Sequence, residues 1–345
     1  MVGGIKDAAR SAFSSMLREP LDPKEREQVQ LNTLDEGVSG YVFDTMPLRI
    51  ALLSGGQKEP LESLTSPTVP HRPSDDSVSE SIASLIQSSL EDLPENKPRL
   101  VNTALSPHEM LVFIREVGID LFDSFWVQQA ATWGVALDFR FPAPLEKKEE
   151  RCHIGHNLYD TRYANDFSRL ADAFLDGVAY SKQSKEGEPS MTVCPCASCS
   201  PTWTNDPLIH STVDEVGTKI IEPAPPYSRA YIHHLLHTHE MSAHALLVMH
   251  NLSVLDAFLK GVREVIERDQ DAGDASFAKE VEQFFAVYDS TFELLDEAKA
   301  SYLEVDLARG KGRLAREREN EAAKTAEELH VPAPTVDVVE DVMQG

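Results

Sequence analysis

Three cysteines within six residues, Cys194-Pro-Cys196-Ala-Ser-Cys199, are the densest concentration of reactive side chains in the sequence. In an extended segment, residues two apart point to the same side, so Cys194 and Cys196 present their sulfurs together. The two-residue gap before Cys199 leaves room for a turn that brings the third sulfur round. Three soft thiolates leave one corner of a tetrahedron for a nitrogen, which is the donor set of a structural Cys3His zinc site. A redox pair or three unrelated thiols is the plainer alternative, and a third cysteine at this spacing argues against it. Downstream histidines able to supply the nitrogen are His210, His233, His234, His237 and His250. The fourth cysteine, Cys152, stands alone in a polar stretch and reads as incidental.

The bulk composition limits what such a site can serve. A chain of 345 residues with 41% hydrophobic content supports one large domain or two ordinary ones with a real core. The net charge of −25 repels nucleic acid at long range, so any RNA binding needs a local basic patch or a more basic partner. Much of the acid sits around residues 74–96 and in the C-terminal third. Clustered cysteines argue for a reducing compartment and a cytoplasmic location rather than a disulfide framework. Met1-Val2-Gly3-Gly4-Ile5-Lys6 lacks a basic region followed by an apolar run, so no secretory signal is expected. The most apolar helical run, Ala243–Met249, is too short to span a bilayer and leads straight into His250.

The elements that must carry the cluster alternate. Val2-Gly3-Gly4 reads as a strand end, followed by a helix from Lys6 to Leu17 and a further helical turn within 24–33. Tyr41–Asp44 reads as a buried strand, with a helix start at Leu48–Leu53. Residues 55–80 are rich in Ser, Pro and Gly and read as a disordered insertion. Ser81–Leu90 carries an apolar stripe of Ile82, Leu85, Ile86 and Leu90, and Arg99–Val101 is the next strand. Ser106-Pro107-His108-Glu109 predicts a helix start, with Ser106 capping, Pro107 at the first position and Glu109 completing a capping box. Gly118 ends that helix, and Ile119–Phe122 is another strand, ending in Asp123. Strand–helix alternation without a Gly-rich phosphate loop predicts a parallel α/β unit, fitting half of a (β/α)8 barrel at least as well as a Rossmann sheet. Trp133–Phe141 reads as a half-exposed antiparallel strand, 143–157 as a charged loop, and Tyr159–Gly177 as partly helical. After a polar linker at 181–190 come the cysteines and a loop at 200–226. Helices are then predicted at Tyr227–His239, capped by Ser228, at Glu240–Asp269, and as one acidic amphipathic helix over Phe277–Leu303. Residues 304–330 are charged and extend that helix into solvent, and the last fifteen residues read as disordered.

Taken in order, these motifs resemble the tRNA-guanine transglycosylases. The resemblance rests on the three cysteines, on Tyr227-Ser228-Arg229-Ala230-Tyr231-Ile232-His233-His234-Leu235 and on Met249-His250-Asn251-Leu252. It extends to Leu93-Pro94-Glu95-Asn96-Lys97-Pro98-Arg99 and to Gly118-Ile119-Asp120-Leu121-Phe122-Asp123. It implies an α/β chain holding the C-terminal half of a (β/α)8 TIM barrel, a zinc-binding subdomain and a C-terminal helical extension. The corresponding spans are 1–142 for the half barrel, 143–190 for linker and insertion, 191–269 for the zinc subdomain and final barrel helices, and 270–345 for the acidic helix and tail. Val2-Gly3-Gly4, Tyr41–Asp44, Arg99–Val101 and Ile119–Asp123 would be the fifth to eighth strands, and the first half of the barrel has no counterpart in this sequence.

The same resemblance implies zinc held by Cys194, Cys196, Cys199 and His250, with His233 and His234 packing or meeting a partner and Arg229 serving packing or an interface. It also implies exchange of guanine for a 7-deazaguanine-type base in tRNA, through a strand-end aspartate that attacks the ribose. Asp123 falls at that position, but the catalytic members' Pro-Thr-Arg and Arg-Asn-Gly grip is replaced here by Ser124-Phe125-Trp126-Val127-Gln128-Gln129-Ala130-Ala131-Thr132-Trp133-Gly134. The loop after the sixth strand is likewise replaced, by Thr45-Met46-Pro47-Leu48. The resemblance is therefore to the family's non-catalytic branch. Its members pair with the catalytic queuine tRNA-ribosyltransferase subunit as a heterodimer, which inserts queuine at the wobble position of tRNAs with GUN anticodons. On this reading the chain has no catalytic residue of its own. The alternatives are an active transglycosylase using Asp123, or a stand-alone zinc-binding interaction protein.

Overall fold

Side chains in Tyr41-Val42-Phe43-Asp44 alternate between buried and exposed, and in the computed structural model this segment is strand β1 (Tyr41–Asp44) of a parallel sheet. The structure describes residues 4–53, 76–144, 151–172, 178–179, 192–199, 227–272, 276–290 and 293–328, in two compact units, Met1–Lys299 and Ala300–Gly345. In the first unit β1 pairs in parallel with β2 (Arg99–Asn102), Val42 opposite Leu100, and β2 pairs with β3 (Leu121–Phe122), Leu100 opposite Leu121. Helices α1 (Asp7–Arg18) and α2 (Pro23–Val29) precede β1. Between β1 and β2 lie α3 (Thr45–Leu53) and α4 (Asp76–Leu90), and between β2 and β3 lies α5 (Pro107–Val117). Parallel strands need crossovers of this kind, because a hairpin cannot join them. The result is a mixed α/β fold dominated by helices.

Several expectations change on contact with the tertiary structure. Helix α4 begins at Asp76, so residues 76–80, expected in the insertion, are its first turn; 54–75 lie outside the described residues, as do Val2-Gly3 and the C-terminal tail. Ser106 caps α5 as expected, accepting from the Glu109 amide at 2.9 Å, and Gly118 closes the helix at φ 71°. Glu109 does not complete the capping box. Its carboxylate accepts instead from the Leu105 amide at 2.7 Å and forms a buried ion pair with Arg49 of α3, with Ser79 of α4 alongside. A buried carboxylate is stable only if paired and hydrogen-bonded, and here it ties three helices together.

The segment after β3 differs most. Phe125–Thr132 is a helix, α6, and the strand expected over Trp133–Phe141 shrinks to β4 (Val135–Leu137). β4 is wholly buried rather than half-exposed, because α8 covers it and β5 (Gly155–Asn157), drawn from the expected charged loop, pairs with it antiparallel. Over Tyr159–Gly177 the described residues hold only a short 3-10 turn, Thr161–Tyr163. A two-stranded ribbon of β6 (Val178–Ala179) and β7 (Thr192–Val193) then leads into the cysteines.

Helices α7 (Arg229–His237) and α8 (Met241–Ala272) follow, Ser228 capping α7 by accepting from the Tyr231 amide. α8 is longer than the apolar run suggested: Met241–Gln270 is long and apolar enough to cross a membrane by length and composition alone. Within this unit its apolar residues Leu247, Val254, Phe258 and Val262 are core. The expected single helix over Phe277–Leu303 is broken into α9 (Ser276–Val287) and α10 (Glu293–Glu328). The break has a physical cause: Tyr288 leaves helical geometry to form a bridge with Cys152, whose amide donates to Val287 O at 2.7 Å and whose carbonyl accepts from Asp289 N at 2.9 Å.

Phe139, Phe141, Phe258, Phe284 and Tyr288 form an aromatic core, most pairs meeting edge to face. Gly261 lets α8 reach the strand exit beside it: a Cβ there would lie 1.9 Å from the Phe141 carbonyl oxygen. Since backbone cannot swing aside as a side chain can, Gly261→Ala is expected to destabilise the unit by about 2 kcal/mol, read as a lower urea midpoint with an unchanged slope.

Candidate metal centre

β7 delivers Cys194 at its end, and a turn closed by the Cys199 amide on the Cys196 carbonyl (3.2 Å) returns the third sulfur to the first two. Ser198, inside that turn, donates to the Leu246 carbonyl of α8 at 2.9 Å and pins the turn to the helix. One turn further along α8, His250 points Nδ1 at all three sulfurs, at 3.6 Å from Cys194, 3.8 Å from Cys196 and 3.4 Å from Cys199. All four residues are buried, and their ligand atoms lie within 4.8 Å of one another. For a tetrahedral ion with bonds of about 2.3 Å to sulfur and about 2.0 Å to nitrogen, the sulfur–nitrogen edge is about 3.5 Å. The observed separations bracket that edge, so the group fits a tetrahedral metal ion in both donor chemistry and size.

The surroundings set the histidine for this task. His250 Nε2 lies 2.9 Å from the Leu137 carbonyl of β4. A carbonyl only accepts, so the proton sits on Nε2 and the Nδ1 lone pair faces the sulfurs. Asn251 grips the same strand: its Oδ1 accepts from Leu137 N at 3.0 Å, and its Nδ2 donates to Val127 O and Val135 O. Two adjacent residues of α8 thus hold both backbone groups of Leu137. Asn251 appears in the sequence only as part of a motif, and no local pattern discloses its role as a clamp.

With no cation among them, the four side chains share protons with one another. Hydrogen bonds with Cys194 and Cys199 drive the Cys196 thiol far below its ordinary pKa, and contacts with Cys194 and Cys196 push Cys199 far above its own. Burial opposes the charged form of His250, yet Cys194 and Cys196 raise it to about 10. The protein alone therefore divides charge unevenly among three buried thiols; a bound cation lets all three be thiolates beside a neutral imidazole.

Two of the rival histidines are engaged elsewhere. His233 Nδ1 lies 2.8 Å from Leu158 O, and His237 Nε2 lies 3.1 Å from Tyr159 O, so both fasten α7 to the segment after β5. His234 is exposed, and His210 is outside the described residues. A second convergent group, Asp138, His156 and Asp172, already holds a cation: the buried Arg229 guanidinium, whose Nη2 is 2.9 Å from His156 Nε2 and 2.9 Å from Asp172 Oδ2. Asp123 sits half-buried at the end of β3. Its Oδ2 accepts from Thr103 N at 2.9 Å and its Oδ1 from Phe125 N at 3.2 Å, and Thr103 itself adopts φ 63°. Oδ2 thus ties the end of β2 to that of β3, while Oδ1 holds the first amide of α6.

The chain is 30% identical over 197 residues to the queuine tRNA-ribosyltransferase accessory subunit 2 of Homo sapiens, covering 54% of this chain and 40% of that protein. The proteins of that name from Danio rerio and Schizosaccharomyces pombe are each 27% identical, with 41% and 33% of their lengths covered. The chain thus spans about two-fifths or less of the curated relatives it matches. Residues 75–290, the span that holds β2, β3, the cysteine turn and α8, match the queuine tRNA-ribosyltransferase (TGT) family, to which this chain belongs.

Proposed function

We propose that this chain acts as part of a non-catalytic accessory subunit of queuine tRNA-ribosyltransferase, working in the cytoplasm as the partner of a catalytic subunit in the exchange of guanine for queuine at the tRNA wobble position. The observation that carries the reading is α6. The segment aligned with the catalytic members' basic grip is here a helix that buries Trp126, Val127, Ala130 and Ala131 in the core and carries no charge. On this reading Asp123, whose oxygens accept from the Thr103 and Phe125 amides, serves to position the ends of β2, β3 and α6.

Zinc is the metal we assign to Cys194, Cys196, Cys199 and His250. When bound it would act structurally, satisfying the thiolates and joining the cysteine turn to α8 and, through His250, to β4. A half-barrel architecture is supported by the β1–β2–β3 sheet. Tyr41, Phe43 and Val101 are buried on one face, while Val42 and Leu121, in one cross-strand row with Leu100, are exposed on the other. Parallel sheets are ordinarily covered on both faces, so further strands around this row account for it.

A partner surface is supported by α8, where Met241, Met249 and Leu252 leave apolar side chains in water at helical spacing. The test is co-purification with the catalytic subunit from the same cell, at micromolar concentration. The wild-type chain is expected to associate, and Met249→Asp with Leu252→Asp to lose association. Failure of the wild type to associate would refute the accessory role. Exchange of labelled guanine by the chain alone, abolished by Asp123→Asn, would instead make it a transglycosylase.

A further inference from the structure

Two histidines of α7, His233 and His237, stand about one helical turn apart, with ring centroids 4.4 Å from each other. Each spends one ring nitrogen on a backbone carbonyl: His233 Nδ1 on Leu158 at 2.8 Å, and His237 Nε2 on Tyr159 at 3.1 Å. A carbonyl only accepts, so in the neutral rings those two nitrogens carry the protons. The lone pairs are left on His233 Nε2 and His237 Nδ1. We propose that His233 and His237 form a second metal site, a two-imidazole chelate for a borderline divalent transition ion, with ligands distinct from those of the cysteine centre.

Residues four apart on a helix are neighbours on one face, and histidine pairs at this spacing hold zinc on the helices of metalloproteases. The carbonyl behind each ring is the support that a ligating histidine ordinarily has. It fixes the tautomer and the ring orientation and raises the basicity of the other nitrogen. Here the two supports come from consecutive residues, and Leu158 and Tyr159 are themselves buried, so one rigid stretch of backbone backs both rings. The pair is also reachable from solvent, since His237 is exposed and His233 half-buried. Packing does not require it: an exposed ring at 237 hides little apolar surface.

The donor set selects the ion. No group of three or more ligand atoms among the described residues includes either ring, so the protein offers two imidazoles and water completes the coordination. Imidazole suits nickel, copper and zinc, whereas magnesium and calcium require oxygen ligands. Two protein ligands hold an ion less tightly than four, so this ion comes and goes with its concentration while the cysteine centre keeps its own. A bound ion would tie one turn of α7 together and, through the two carbonyls, brace it on the segment after β5. Binding only to the folded helix, it would stabilise that helix.

The test is calorimetric titration of Ni2+ into the untagged full chain with zinc already in the cysteine centre. One Ni2+ per chain is expected, with no zinc released. His237→Gln, which keeps a donor for the Tyr159 carbonyl, and His233→Ala should each weaken this binding at least about tenfold. His234→Ala, beside the pair on the same helix, should leave it unchanged. Hydrogen exchange over residues 230–238 should slow when Ni2+ is added to the wild type and should not respond in His237→Gln. The wild-type exchange needs no variant, so it decides the matter even where His233→Ala loosens α7. No Ni2+ uptake by the wild type, uptake unchanged in His237→Gln, or an equal loss in His234→Ala would overturn the proposal. So would zinc appearing in solution as Ni2+ enters, which would place the nickel among the cysteines.

Discussion

Chelation, or the substitution Cys196→Ser, is expected to release the metal and to loosen β4, the cysteine turn and the first half of α8 together. The loss is large because the four ligands join three elements far apart in the chain; Cys199 and His250 alone are 51 residues apart. A structural zinc ion contributes on the order of 10 kcal/mol of apparent binding free energy in small domains, comparable to the whole stability of an ordinary domain. Without the ion, three buried thiols and an imidazole remain with no favourable distribution of charge. His250 would then lose the alignment that presents its Nε2 to Leu137. The expected readouts are one zinc per chain in the wild type by metal analysis, less than stoichiometric zinc in Cys196→Ser, and hydrogen exchange that accelerates first in β4 and around His250. His233→Ala and His237→Ala serve as controls and should keep their zinc, since both rings are committed to backbone carbonyls elsewhere. Stoichiometric zinc in Cys196→Ser, or its loss in either control, would show the ligand set to be wrong.

A second large effect is expected on acidification and centres on His108 of α5. This ring is 3% exposed, packed against Phe284 and Phe285, with Nε2 3.2 Å from the Tyr288 carbonyl. Burial lowers its pKa from 6.5 to about 4, although the hydrogen bond to Tyr288 and the charge of Asp289 pull the other way. The native state therefore holds the ring neutral, while the unfolded chain protonates it near its ordinary value. Stability from this group is fully present above about pH 6.5 and is lost as pH falls toward about 4, because protons then favour the unfolded state. At 1.36 kcal/mol per pKa unit the loss reaches about 3 kcal/mol. Urea melts at pH 7.5, 6 and 4.5 would measure it, comparing the wild type with His108→Gln, which keeps a donor for Tyr288. The variant should lose less stability across this range. Parallel pH curves would mean that His108 is not the group responsible.

Both expectations turn on residues whose roles were unequally legible. What the sequence determined by itself is local. The spacing of Cys194, Cys196 and Cys199 announces a soft-metal cluster because extended and turn geometry act over a few residues. Ser106, Pro107 and Gly118 bound α5, and Ser228 starts α7, because caps satisfy backbone groups next to them. The apolar run Tyr41–Asp44 reads as a strand, and the alternation of strands with helices predicts parallel pairing, because element order is written directly in the chain.

What only the tertiary structure decided are the partners brought from a distance. Glu109 looks like a capping-box residue and is claimed by Arg49, because a buried carboxylate near a guanidinium gains more from that pair than from the Ser106 amide. Phe277–Leu303 has the periodicity of one helix and breaks at Tyr288, because Cys152 offers its backbone a bridge. Five histidines compete for the fourth ligand position on paper. Among the described residues His250 is the one that reaches the sulfurs, because Leu137 orients its ring and Asn251 fixes the strand that does so. Short-range geometry is written in residue types and their spacing; long-range choice among chemically equivalent side chains depends on which of them the closed chain brings to the same few ångströms.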